Sequence, residues 1–274
     1  MGLRIATNTA SIAAQRVLSK QQKRAEHAAQ ALASGSRIVN AADDAAGLAI
    51  SENFKGQLKG IGQARNNANN AISFVQVSEG GLNEVSNILV RLRELGVQAA
   101  SDTVSDTERE FLNKETQQLI QEADRIAKTT VFGTKKMLDG TAGAMEFQVG
   151  AYSDENNVIK FEFDADSTAS ALGIDSIAMA DRGDARASLE QVDQAIEKVS
   201  GMRANFGAMQ SRMESAVSNL DVSYENLSAA NSRIRDTDVA KETAEMTSAS
   251  ILQNTAVSVL AQANQLPQVA MKLV

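Results

Sequence analysis

Between Ser188 and Asp236 apolar or small side chains recur in steps of three and four, from Leu189, Val192, Ile196 and Val199 through Phe206, Met209 and Met213 to Leu227, Ala230 and Ile234. The mean step is about 3.5 residues, the seam period of helices that wind around one another. A second, weaker seam begins at Ala14, passes through Leu18, Gln21, Ala25, Ala28 and Leu32, and stops near Gly35. A third runs through Met246, Ala249, Leu252, Ala256, Val259, Ala263, Leu266, Ala270 and Leu273. Alanine and glutamine bury little apolar area, at about 0.8 kcal/mol per methylene, so the two terminal helices should be marginal alone and should need partners.

Between the seams, Ala45 to about Ala100 carries Leu58, Ile61, Ala68, Ile72, Val75, Leu82, Val85, Leu89 and Leu92 at helical spacing. Gly80-Gly81 interrupts this run and predicts a bend or a close helix contact. Ser105-Asp106-Thr107-Glu108 has the form of a capping box and opens a helix expected to end near Thr129. Met145, Phe147 and Val149 alternate with small or polar neighbours. Asp154-Glu155-Asn156-Asn157 then turns the chain, and Ile159, Phe161 and Phe163 alternate again. That period of two predicts a β-hairpin over about 145–164 with one apolar face, which should pack on helices. The chain would reverse there, so the helix over about 188–235 returns along the earlier ones. A continuous helix of that length reaches roughly 70 Å at 1.5 Å per residue, beyond a compact globule of this size with its radius of gyration of roughly 19 Å. The expected fold is mainly α: an elongated rod of long antiparallel helices, a coiled-coil terminal layer and a helical-bundle inner domain, with a small β-hairpin in the middle.

Composition agrees with helices. The 274 residues include one proline, Pro267, and only 4% aromatics. The net charge of −7 and the scatter of Lys and Arg offer no basic footprint for nucleic acid. Without cysteine there is neither a disulfide framework nor a thiolate site. No apolar stretch approaches the roughly 20 residues that span a bilayer, and Met1 to Thr9 lacks the apolar core of a cleaved secretory signal.

Catalytic chemistry has little to stand on. His27 is the single histidine, which excludes a two-histidine zinc motif and leaves one candidate for any Ser-His-Asp triad. Within Glu26-His27-Ala28-Ala29 it reads as a surface or seam side chain. Gly56, Gly60 and Gly62 follow no strand, so they do not form a phosphate loop. Asp43 and Asp44 are adjacent and on a helix would not face one another; a helix-entry pair favoured by the dipole is the better reading. No catalytic residue, metal site or cofactor is expected.

Ser34 to Ser51, SGSRIVNAADDAAGLAIS, resembles the N-terminal signature of bacterial flagellins. The likeness continues in Val90 to Gln98, in Phe147 to Ala151, in Ser232 to Asp238 and in Ser258 to Gln268, and so covers nearly the whole chain. The resemblance implies an extracellular structural subunit that polymerises into the flagellar filament for motility. Terminal helices, residues 1–40 and 236–274, would pair as the inner coiled-coil layer. Residues 41–235 would form the surrounding rod domain. Only Ala165 to Asp184 occupies the place of variable outer domains, which implies a minimal form without them. Leu18, Ala25, Leu32, Leu252, Val259 and Leu266 are the seam residues expected to carry self-assembly. The resemblance further implies flagellar type III export without cleavage, an export chaperone on the C-terminal helix, and contacts with cap and hook-junction proteins. It also implies an innate immune receptor contact at Arg91, Leu95 and Glu115, positions that alternatively serve contact between subunits. Two other readings compete: a flagellar hook-filament junction protein, and a signalling coiled coil of chemoreceptor type, against which the strands and Gly80-Gly81 speak.

Overall fold

The computed structural model describes the backbone of residues 7–271 and the side chains of residues 7–265. Its elements in chain order are α1 (Thr9–Ser34), α2 (Ala45–Ala99), α3 (Asp106–Thr129), β1 (Val131–Phe132), β2 (Lys135–Lys136), β3 (Gly143–Gln148), β4 (Val158–Phe163), α4 (Ala169–Leu172), α5 (Arg182–Arg235) and α6 (Val239–Met271). The chain is therefore mainly α, as its periodicity predicts. It divides into two compact units, residues 59–224 and residues 1–58 with 225–274.

In the unit of residues 59–224 the core is built from the predicted stripes. Leu82, Leu89, Leu92 and Leu95 of α2, Ile120, Ala123 and Ala127 of α3, and Val192, Val199, Phe206, Met209 and Met213 of α5 are all buried. Glu108 accepts a hydrogen bond from the Ser105 backbone N–H at 2.8 Å, closing the predicted box at the start of α3. That bond also holds the Glu108 carboxyl below its ordinary value. β3 and β4 pair antiparallel with Met145 opposite Phe161 and Phe147 opposite Ile159, and a 3-10 turn over Glu155–Asn157 occupies the predicted reversal. The apolar face docks on helices through aromatic edges. Phe163 meets Phe74 of α2 at 4.6 Å between centroids, Phe161 at 4.6 Å and Phe206 of α5 at 5.5 Å. Phe132 and Phe147 also meet Phe74, at 5.4 and 6.2 Å.

Three features sharpen or change the expectations. Helix α2 runs unbroken through Gly80-Gly81, so of the two alternatives there the bend is absent, and Gly81 alone makes a close contact. A β-carbon on Gly81 would lie 2.7 Å from Leu138 Cδ1 and 2.8 Å from Thr130 Oγ1, whereas one on Gly80 would meet nothing. A second antiparallel pair, β1 with β2, turns through Gly133 in the left-handed region at φ +62°. Residues 165–184 are part of the core: Ala165, Ala169, Leu172, Ile174, Ile177 and Met179 are buried. Three α3 side chains hold this segment. Asn113 Oδ1 accepts from Met179 N–H at 3.0 Å, Gln117 donates to the Ile177 carbonyl at 2.8 Å, and the Thr116 hydroxyl lies 3.2 Å from Met179 Sδ.

Candidate assembly site

In the other unit, α1 and α6 pack along one another. They run antiparallel: Arg24 is ion-paired with Glu245 at 3.0 Å, and near the start of α1 the Asn8 amide donates to the Ala263 carbonyl at 2.7 Å. On α1 the inward positions are Ser11, Ala14, Leu18, Gln21, Ala25, Ala28 and Leu32, with Ala31 also buried. On α6 they are Glu242, Met246, Ala249, Gln253, Ala256, Leu260 and Ala263. Both sets step by three and four, so the pair has the coiled-coil period. Its innermost side chains are small: Ala14, Ala28 and Ala31 of α1 and Ala249, Ala256 and Ala263 of α6 are all buried.

Leu18, Ala25 and Leu32 are half-buried along this seam. Leu252 and Val259 are corrected: they are 43% and 48% exposed and lie off the seam. The phase is set by Ala249, Ala256 and Ala263, seven residues apart, and the intervening inward positions are then Gln253 and Leu260. Apolarity alone favours Leu252 over Gln253, a register one residue away from the one the helix adopts. The Leu266 side chain lies outside the described residues. Ile251, Leu252, Val257 and Val259 of α6 are all exposed, as are Ile12 and Val17 of α1.

At the other end of the pair, two turns interlock. Gly35 takes the left-handed conformation at φ +67° and ends α1. Its carbonyl accepts from Thr237 N–H at 3.0 Å, and Arg37 N–H donates to the Arg235 carbonyl at 2.7 Å. Ser36 and Asp236 stand opposite one another as an isolated antiparallel bridge. The Arg37 guanidinium donates to the Ile234 carbonyl from Nε at 3.2 Å and Nη2 at 2.8 Å. It thereby satisfies a carbonyl that the last turn of α5 leaves without an intrahelical donor. Arg235 in turn pairs with Glu52 on α2, holding that carboxyl below its ordinary value.

The acidic pair Asp43-Asp44 divides its work. Asp44 Oδ1 accepts from Gly47 N–H at 2.8 Å at the entry to α2. A β-carbon on Gly47 would fall 2.3 Å from Asp44 Oδ2, so a larger residue there would displace the capping carboxylate. Asp43 Oδ2 accepts from Asn40 N–H at 2.8 Å and Val39 N–H at 3.1 Å and stands 3.1 Å from His27 Nε2. The Asn40 amide, foremost, holds the Asp43 carboxyl below its ordinary value. Among the described residues no group of three metal-ligating side chains occurs. The turn residues SGSRIVN and SRIRDTD are thus the two halves of one joint, a role their polar composition alone did not disclose.

Of the three residues considered for a receptor or subunit contact, Arg91 and Glu115 are exposed and joined. Arg91 Nε and Nη2 donate to Glu115 Oε1 at 3.0 and 2.7 Å, and Nη1 to Glu94 at 3.0 Å. These carboxylates, Glu115 first, raise the arginine above its ordinary value. Leu95 is 1% exposed and belongs to the core, so it offers no surface to a partner.

Residues 5–143 match the family model for the bacterial flagellin N-terminal helical region, and residues 189–274 match that for the C-terminal helical region. The chain belongs to the bacterial flagellin family. A flagellin from Halalkalibacterium halodurans is 42% identical over 269 residues, covering 97% of each chain. The flagellar filament 33 kDa core protein of Treponema phagedenis is 37% identical over 282 residues, covering 97% of this chain and 98% of that one. Among solved structures, Bacillus cereus flagellin superposes with a TM-score of 0.51 at 31% identity, over 57% of this chain and 88% of that one. Flagellins are structural filament proteins, not enzymes. Among the described residues no helix is long and apolar enough to cross a membrane.

Proposed function

We infer that this flagellin is the subunit of an extracellular flagellar filament and that it self-associates through its paired terminal helices. The observation that carries this reading is the α1–α6 pair itself. Its most buried positions are chiefly alanine, while Leu252, Val259, Ile251 and Val257 of α6 are exposed. Ordering a helix costs about 1 to 2 kcal/mol of backbone entropy per residue, and a small-residue seam offsets little of that. Neighbouring subunits burying these exposed side chains would supply the remainder, so ordering and polymerisation would coincide. In this arrangement residues 1–40 and 236–274 form the inner layer, residues 41–235 form the rod, and no outer domain is present.

The same exposed side chains of α6 are what an export chaperone would cover before assembly, and cap and hook-junction proteins would meet them at the filament ends. The exposed Arg91–Glu115 pair serves contact between subunits first and an innate receptor second. A hook-filament junction role is not favoured, because the near-full-length relatives are named as flagellin and filament core protein.

Electron microscopy of the purified chain under polymerising conditions tests the reading. Long filaments are expected, and short or absent polymers would count against it. Circular dichroism should record a gain of helix on assembly; equal helicity in monomer and filament would end the coupling argument.

A further inference from the structure

The seam between α1 and α6 repeats every seven residues on both sides. Ala249, Ala256 and Ala263 present the same small side chain at successive heptads of α6, and on α1 Ala14 and Ala28 stand one heptad to either side of Gln21. Sliding α6 by a heptad, about 10 Å at 1.5 Å per residue, can set the next alanine of its ladder against Ala14 and Gln21. A polar seam residue fixes register when its hydrogen bonds are met in one alignment only. Gln21 is the buried polar residue in the middle of α1, and its Oε1 has no partner. The seam therefore supports association but discriminates poorly between alignments.

The interlocked turns have no such periodicity. Thr237 N–H to Gly35 carbonyl and Arg37 N–H to Arg235 carbonyl are bonds between individual backbone groups. Ser36 Oγ lies 3.2 Å from the Arg235 carbonyl, and the Arg37 guanidinium adds two bonds to the Ile234 carbonyl. Moving α6 by seven residues against α1 would break all of them and leave the end of α5 uncapped. We propose that this clasp between the α1–α2 and α5–α6 turns is a register lock: it selects a single alignment of the terminal helices from the several their seam allows, with Ser36 and Arg37 as its positioning residues.

The bridge geometry provides a direct test. Ser36 and Asp236 are a non-hydrogen-bonded antiparallel pair, flanked by the two backbone bonds, and such pairs bring α-carbons to about 4.5 Å, within reach of a disulfide. In S36C/D236C/R37A, reduction leaves the side-chain bonds of the clasp absent, and oxidation replaces them covalently. Lys23 and Asn254, both exposed, would be exchanged for ketone-bearing residues carrying spin labels, which leaves the thiols untouched. Distances are then read in filaments diluted with unlabelled subunits. The oxidised form should show one narrow distance matching that of the labelled chain with its clasp intact. The reduced form should show a second population displaced by about 10 Å along the axis, or should fail to assemble until oxidised. One narrow, identical distance in both redox states would overturn the lock, as would failure of the oxidised form to assemble. The inference rests on the filament reading, whose failure is read separately: if the unsubstituted chain forms no filaments, the two redox states are compared in the soluble chain with the same two outcomes.

Discussion

Asn8 donates from its side-chain amide to the Ala263 carbonyl at 2.7 Å, across 255 positions of sequence, while its side-chain oxygen accepts from Ser11 N–H at 3.1 Å. One residue thus caps α1 and ties it to α6. Asn8→Ala removes both bonds, and loss of the cap alone costs about 1 kcal/mol. Asn8→Asp keeps the cap and removes the donor. Filament melting followed by light scattering should fall in both variants, further in Asn8→Ala, with unfolding of the unit of residues 59–224 unchanged.

The outward placement of Leu252 and Val259 separates pairing from polymerisation. Leu252→Gln with Val259→Gln leaves the alanine seam intact and should abolish or strongly slow filament growth in a sedimentation assay. Ala256→Leu instead overfills the seam, at a cost of about 1 to 3 kcal/mol, and should weaken the α1–α6 pair itself. Undiminished growth of the double glutamine variant would refute these two side chains as a subunit contact.

Adjacent glycines in α2 should respond in opposite directions. Gly80→Ala adds helix propensity where nothing lies within 4 Å of the new carbon, and should stabilise the unit of residues 59–224 by up to about 1 kcal/mol. Gly81→Ala forces a carbon against Thr130 and Leu138, with contacts of 2.7 to 3.1 Å. Overpacking of that kind costs about 1 to 3 kcal/mol and exceeds the propensity gain. Thermal unfolding of the full chain should show the two transitions shifted apart.

Asp43 and Glu52 both have carboxyls held below their ordinary values of 3.8 and 4.5, by the Asn40 amide and by Arg235 respectively. A carboxyl with a lowered folded value contributes stability above its unfolded value, and that contribution is lost as pH falls through the folded one. The joint between the turns should therefore hold at neutral pH and loosen under acid, starting near pH 4.5 and proceeding below it. Glu52→Gln removes one of the two groups. It should lower filament stability at neutral pH and flatten its acid dependence, as measured by scattering across a pH series.

Legibility followed the length and redundancy of the signal. In α5 the seam residues Val192, Val199, Phe206, Met209 and Met213 are all buried, because large side chains over many turns leave one phase. β3 and β4 announced themselves by alternation, and α3 by Ser105 and Glu108. In α6 small and large residues of similar apolarity compete for the inward position, and the choice between Leu252 and Gln253 depends on what α1 presents. Residues 165–184 carry neither period: Ile174, Ile177 and Met179 fill space that α3 and α5 leave, which is a tertiary property. The joint was harder still. Its bonds are backbone to backbone or from Arg37 to a carbonyl, so side-chain types record only part of it.

The unit holding α1 and α6 draws on residues 1–58 and 225–274 and on nothing between them. Made or delivered from its first residue, the chain presents α1 at once but cannot seat it until the last fifty residues follow. Ser36 must wait for Asp236, and Asn8 for Ala263. The pairing of α1 with α6 therefore waits for residues 225–274. The order of residues thus acts as a timer, holding back the α1–α6 pair until both of its distant segments are present.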